Sequence, residues 1–100
     1  MIRHLVFFSV ERPEDVAVVV ETLNGYRDIP SVRSLEVARN DKLDDADREI
    51  DVVLHVTFDD RDALNAYKRH PAYLAGIDVI RPRRRLRYVV DYEVDVAADP

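Results

Sequence analysis

The first segment of the chain is apolar on both faces of a predicted strand, and this feature restricts the fold more than any other. Residues 2–10 are rich in β-branched and aromatic types and contain neither Gly nor Pro, which is typical of a β-strand. Side chains alternate between the two faces of a strand, so Val6 and Phe8 share one face while Leu5 and Phe7 share the other. Such a strand needs an apolar layer on each side.

Helical and extended patterns alternate along the rest of the chain. Pro13 and the two acidic residues after it predict a helix start, because proline needs no N–H partner there and acidic side chains suit the helix dipole. Valine and leucine recur at helical spacing from Val16 to Leu23. This helix should end near Asp28, because Pro30 disfavours helical geometry in the residue before it. The other predicted elements are a strand over 32–39, a strand over 51–58, a helix capped by Asp59 or Asp60 that breaks at Pro71, a short helix to Ile80 and a strand over 83–94.

This order of elements predicts one α+β domain. Two helices on one face of a four-stranded antiparallel sheet, in the order βαββαβ, make the ferredoxin-like arrangement. One hundred residues suit a single domain, which we place at residues 1–95. The tail over 96–100 should fray.

The sheet face opposite the helices needs a cover of its own. Leu5 and Phe7 lie on this face, and Val53 of the third predicted strand joins them. An exposed apolar patch of this kind marks an interface. We expect a second copy of the chain to pack against it sheet to sheet, which predicts a homodimer.

Composition and charge exclude several classes of function. The formal charge is −5 at pH 7, which argues against nucleic-acid binding because such binding relies on neutralising phosphates. The strand over 51–58 also lacks the glycine and paired aromatics on which RNA bases stack. The chain has no Cys and no apolar segment near the roughly 20 residues needed to span a bilayer. We therefore expect a cytoplasmic protein with no nucleic-acid or membrane partner.

Two charged segments have alternative interpretations. Five arginines lie close together around Pro82, namely Arg81, Arg83, Arg84, Arg85 and Arg87. Such a run can contact a phosphate or another anionic ligand, but we favour a solvated strand entry whose arginines pair with some of the 20 acidic residues. The acidic loop over 40–49 lacks EF-hand spacing, so we interpret it as an exposed loop rather than a cation site.

Three segments of the chain resemble one protein family. They are residues 2–8 (IRHLVFF), residues 67–73 (YKRHPAY) and residues 89–92 (VVDY). The chain is similar to the stress-responsive dimeric α/β-barrel family, often called Dabb, over nearly its whole length. The resemblance implies a homodimer whose two sheets form a barrel, with a cleft in each subunit between sheet and helices. The family includes stress-response proteins and olivetolic acid cyclase, which closes a polyketide ring without a cofactor.

The resemblance to the cyclase extends only partly to its site. In that enzyme a histidine acts as general base and a tyrosine donates a hydrogen bond to the substrate carbonyl. The tyrosine corresponds to Tyr67, and a histidine of the cleft wall corresponds to His4. The basic histidine corresponds to Tyr73, and a second cleft-wall histidine corresponds to Val52. A phenol, whose ordinary pKa is about 10, is a poor general base at pH 7, so we expect the cleft without the cyclase reaction.

Two functional hypotheses follow. We predict five ligand-binding residues, which are His4, Val52, Tyr67, His70 and Tyr73. The first hypothesis is a dimeric protein that binds a small apolar or aromatic metabolite in the cleft. The alternative is a cofactor-independent enzyme, a polyketide cyclase, isomerase or monooxygenase-like protein, in which His4, Tyr67 or His70 acts as acid, base or electrophile. Simple core packing is the competing role for the histidines and tyrosines. His55 lies on the opposite face, and we expect neither a metal site nor a cofactor.

Overall fold

The computed structural model describes residues 1–95, which form an antiparallel sheet covered on one face by helices. The elements are β1 (Ile2–Val10), α1 (Asp15–Gly25), a 3₁₀ turn (Tyr26–Asp28), β2 (Ser34–Arg39), β3 (Val52–Phe58), α2 (Arg61–Arg69), α3 (Pro71–Ile80) and β4 (Arg84–Glu93). The strands lie in the order β2-β3-β1-β4, and each neighbouring pair is antiparallel. The predicted ferredoxin-like α+β fold is confirmed. The predicted tail over 96–100 lies outside the described residues.

Prolines flank the first helical segment, although α1 itself starts later and ends earlier than predicted. Pro13 lies in a turn before the helix, where the amide of Val16 donates to its carbonyl at 3.3 Å, and the helix itself begins at Asp15. At the other end, Ile29 is extended with ψ of 124°, as expected for a residue that precedes a proline. The last predicted helical turn is a 3₁₀ turn, which directs Tyr26 inward, where it is buried.

The break between α2 and α3 occurs where the proline predicts it. His70 precedes Pro71 and is extended, with ψ of 138°. Its Nδ1 accepts a hydrogen bond from the amide of Ala72 at 3.1 Å, so His70 caps α3. Asp60 caps α2 in the same way, because its Oδ1 accepts from the amide of Ala63 at 2.8 Å. The chain therefore forms two short helices here instead of one continuous helix.

The two faces of the sheet differ in burial. The helix side holds the core, which includes Val6, Phe8, Leu54 and Val56. On the other face, register pairs Leu5 with Val90 and Phe7 with Tyr88. Val90 and Tyr88 are each 50% exposed. A single chain therefore leaves an apolar surface uncovered, which we call the sheet face and define by Leu5, Phe7, Val53, Tyr88, Val90 and Tyr92.

Candidate ligand cleft

A cleft of about 230 Å³ lies on the helix side of the sheet, between β1, α2, α3 and the first half of β4. Its lining consists of apolar side chains, aromatic rings with polar tips, and cations. The apolar part is formed by Val6, Phe8, Leu54, Ile77 and Ile80. This volume is below the roughly 300 Å³ at which pockets for drug-sized ligands begin, so the cleft suits a small molecule.

Three tyrosines form one wall of the cleft. The ring centroids of Tyr67 and Tyr73 are 4.8 Å apart, those of Tyr26 and Tyr73 are 5.4 Å apart, and those of Tyr26 and Tyr67 are 5.8 Å apart. These are contact distances for tilted and edge-on aromatic pairs. The break at Pro71 makes this grouping possible, because it lets α3 bring Tyr73 against the ring of Tyr67 on α2.

The hydroxyl of Tyr67 is buried, and no hydrogen-bond partner for it exists among residues 1–95. Burial, followed by the neighbouring hydroxyl of Tyr73, raises the pKa of Tyr67 well above its ordinary value. The hydroxyl therefore stays protonated at neutral pH. It can donate a hydrogen bond to a ligand, and it cannot act as a base.

His4 of the cleft is held by a carboxylate on the neighbouring strand. The antiparallel register places Asp91 opposite His4, and Nδ1 of the ring lies 2.5 Å from Oδ1 of Asp91. Burial lowers the pKa of His4 below its ordinary value of 6.5, although the hydrogen bond that its ring donates to Asp91 acts in the opposite direction. The imidazole is therefore neutral at pH 7. Donation from Nδ1 to the carboxylate leaves Nε2 as the basic nitrogen.

Four cations complete the lining, namely Lys68, Arg81, Arg84 and Arg87. The expected pairing of the arginine run with acidic residues is wrong for most of its members. Within the part of the chain that the structure describes, Arg83 alone of the five forms an ion pair, at 3.6 Å from Asp15. Arg81, Arg85 and Arg87 are exposed, as expected for a solvated strand entry. The register between β1 and β4 shifts by one residue at a bulge, where Ser9 lies opposite Leu86 and Val10 lies opposite Arg84.

The structure brings three of the predicted ligand-binding residues together and leaves two apart. His4, Tyr67 and Tyr73 all line the cleft. Val52 is fully buried in the core and is not part of the cleft lining. His70 is half-buried, and its ring is engaged as the cap of α3. Ligand binding by any of these residues stays a prediction.

The acidic loop between β2 and β3 is held by its own cations. Nζ of Lys42 lies 2.8 Å from Oδ1 of Asp51, and Nη1 of Arg48 donates to the carbonyl of Asp44 at 3.0 Å. Over residues 1–95, no group of three or more His, Asp or Glu side chains is placed to hold a metal ion. Within the same range, no helix has the length and apolar character needed to cross a membrane.

The family profile described as Stress responsive A/B Barrel Domain matches residues 2–94. The chain belongs to this family. No curated protein matches the chain. Many solved structures share the fold of this stress-responsive A/B barrel domain.

A dimeric ferredoxin-like protein from Thermobifida fusca has a TM-score of 0.82 and 24% identity, with 93% of this chain and 90% of that chain covered. A Dabb family protein with a ferredoxin-like fold from Mesorhizobium loti has a TM-score of 0.75 and 21% identity, with 93% of this chain and 95% of that chain covered. A protein named as an antibiotic biosynthesis monooxygenase has a TM-score of 0.71 and 18% identity, with 95% and 99% covered. At these identities the likeness shows the fold of this stress-responsive A/B barrel domain and no more.

Proposed function

We propose that this protein is a cytoplasmic homodimer that binds a small aromatic or apolar metabolite in the cleft of each subunit. The observation that carries the proposal is the buried, unpartnered hydroxyl of Tyr67 within a wall of aromatic rings. A buried hydroxyl without a hydrogen bond costs about 1–3 kcal/mol. A ligand with an acceptor atom at this point removes the cost, while its apolar body contacts Tyr26, Tyr73 and Ile77.

Ligand binding is tested by recording nitrogen–proton correlation spectra of the dimer while neutral aromatic compounds such as naphthol and naphthamide are added. Resonances of residues around Tyr67, Tyr73 and Ile77 should shift, and those of β2 should not. Ile77→Trp should fill the cleft and abolish binding. Val79→Trp is the matched control, because Val79 lies on the same helix but outside the cleft, with 37% of its surface exposed. Shifts confined to the sheet face, or equal effects of the two variants, would contradict the proposal.

We propose that the dimer forms through the sheet faces. Support comes from the uncovered apolar residues on that face and from the dimeric relative from Thermobifida fusca. Such a contact leaves both clefts accessible, because they lie on the opposite side of each sheet. Packing sheet against sheet at about 10 Å buries both apolar faces at once.

Light scattering at micromolar concentration tests the dimer, and a stable folded monomer of 11.6 kDa would refute it. Phe7→Glu should weaken the dimer and the fold together, because burying an unpaired carboxylate costs several kcal/mol. Tyr88→Glu separates the two effects, since Tyr88 is 50% exposed in one chain and its substitution should yield a folded monomer. Leu43→Glu is the control, because Leu43 is 93% exposed in the loop before β3 and should leave the dimer intact.

A second candidate function is a cofactor-independent enzyme, such as a polyketide cyclase, an isomerase or a monooxygenase-like protein. The pairing of His4 with Asp91 favours it, because this contact orients a neutral imidazole beside a protonated tyrosine. His4 would remove a proton while Tyr67 stabilises the developing charge on oxygen. Mass spectrometry of a bound compound after incubation distinguishes the two functions. Conversion by the wild type that is lost in His4→Gln favours the enzyme, and recovery of the unchanged compound favours the binding protein.

A further inference from the structure

The cations of the cleft come together for a geometric reason. In a regular strand, Arg84 and Arg87 would point to opposite faces, because they are three positions apart. The bulge in β4 adds one residue between them, so Arg87 lies opposite Phe8 and Arg84 lies opposite Val10. Both guanidinium groups therefore line the same cleft, and Arg81 joins them from the end of α3.

These cations have no counter-charge within the described chain. No ion pair joins Arg81, Arg84 or Arg87 to a carboxylate of residues 1–95, although the protein as a whole carries a formal charge of −5. Asp91, which lies on the same side of β4 as Arg87, is already engaged by His4. Burial, followed by repulsion from Arg87 and Arg81, lowers the pKa of Arg84. Guanidinium groups stay protonated at neutral pH, so the cluster retains its charge.

Like charges that lie close together repel one another, and an anion bound between them relieves this repulsion. Guanidinium groups bind carboxylate and phosphate oxygens through paired hydrogen bonds, and these bonds are stronger where water is partly excluded. The three arginines lie on the β4 side of the cleft, and the tyrosine wall lies on the helix side. A molecule with an aromatic body and one anionic group matches both parts.

We propose that the ligand of the cleft is an aromatic or apolar anion whose carboxylate or phosphate group is held by Arg84 and Arg87, with Arg81 at the outer edge. This inference rests on the proposed ligand-binding function and adds the charge of the ligand. The apolar body lies against Tyr26, Tyr67 and Tyr73. A carboxylate and a phosphate both present anionic oxygen atoms attached to the apolar body, and the experiment distinguishes these two groups.

Two matched pairs of compounds test the proposal by titration into the dimer with the same correlation spectra. Naphthoate is compared with naphthamide, and naphthyl phosphate is compared with naphthol. In the wild type, the anion of the preferred pair should bind about tenfold or more tightly than its neutral partner, since hydrogen bonds to charged groups are worth that much. Arg84→Gln and Arg87→Gln should each remove most of this preference. Arg85→Gln, next to Arg84 in sequence but outside the cleft lining, should keep it.

The outcomes separate the two proposals. If neutral and anionic members bind the cleft equally well, or if Arg85→Gln and Arg84→Gln act alike, the anion inference is wrong while the cleft function stands. If no compound shifts cleft resonances at millimolar concentration, both proposals fail. A preference confined to the carboxylate pair or to the phosphate pair supports the inference and identifies the anionic group.

Discussion

Replacing Gly76 with alanine should damage both the stability and the cleft of this protein. Gly76 lies within α3 directly against the ring of Tyr26, whose hydroxyl donates to the carbonyl of Tyr73 at 3.2 Å. A Cβ at position 76 would lie 2.6 Å from Cζ of Tyr26 and closer still to Cε1 and Oη. Ordinary carbon contacts begin at about 3.5 Å, so the ring has to move by roughly 1 Å. Tyr26 is buried between Tyr67 and Tyr73 and has little space in which to move.

Two opposing effects determine the size of the change. Overpacking a core costs about 1–3 kcal/mol, whereas alanine in a helix interior is favoured over glycine by about 1 kcal/mol. The net expectation for Gly76→Ala is therefore a loss of up to about 2 kcal/mol in the free energy of unfolding. Displacement of Tyr26 should also weaken binding of any aromatic compound in the cleft.

Gly25→Ala is the matched control for this prediction. Gly25 also has helical geometry, with φ of −62° and ψ of −23°, but no atom lies within 4 Å of the position of its added Cβ. The Gly25→Ala substitution should stabilise the protein by about 0.5–1 kcal/mol. Urea unfolding of both variants at one protein concentration measures the two changes. Equal stabilisation by both substitutions would show that Tyr26 does not pack on Gly76, and the account of the cleft wall would then be wrong.

Three further substitutions probe single contacts of the fold and the cleft. Asp60→Ala should lower the free energy of unfolding by about 1 kcal/mol through loss of the α2 cap, and unchanged stability would argue against the cap. Tyr67→Phe should leave the free energy of unfolding in urea unchanged or raise it, because it removes a buried hydroxyl that has no partner within residues 1–95, but it should weaken ligand binding. Asp91→Asn should lower the pKa of His4 further, as followed by proton NMR of the ring, because the carboxylate favours the charged form. Since the neutral ring is the form favoured by folding, the contribution of His4 to stability is present above pH 6.5 and is lost as the pH falls through the lowered pKa. A pKa for His4 above 6.5 in the wild type would contradict the predicted downward shift and the pH dependence of stability that follows from it.

The elements of the fold were predictable because local signals and tertiary packing agree in this chain. Pro30 and Pro71 end helices at the expected residues, and the alternation in β1 predicted which side chains face the core. The start of α1 was less predictable, because Pro13 is compatible with a turn as well as with a first helical position. The 3₁₀ turn at Tyr26 has no distinct sequence signal.

The cleft was predictable only in part. His4, Tyr67 and Tyr73 were found through the family resemblance, and the sheet register then explains why His4 meets Asp91. Arg81, Arg84 and Arg87 were recognised as a possible anion contact but were not assigned to the cleft. For Arg84 and Arg87 the reason is that strand alternation cannot locate a bulge, and without the bulge the two side chains point apart. A one-residue excess in β4, between Arg84 and Leu86, is visible only when its pairing with β1 is known.

The most direct test of the account is a crystal structure of the dimer with naphthoate at millimolar concentration. We expect electron density on the helix side of each sheet, with the ring against Tyr67 and Tyr73 and the carboxylate within hydrogen-bond distance of Arg84 or Arg87. Density between the two sheets, or a carboxylate directed away from both arginines while the cleft stays empty, would contradict it.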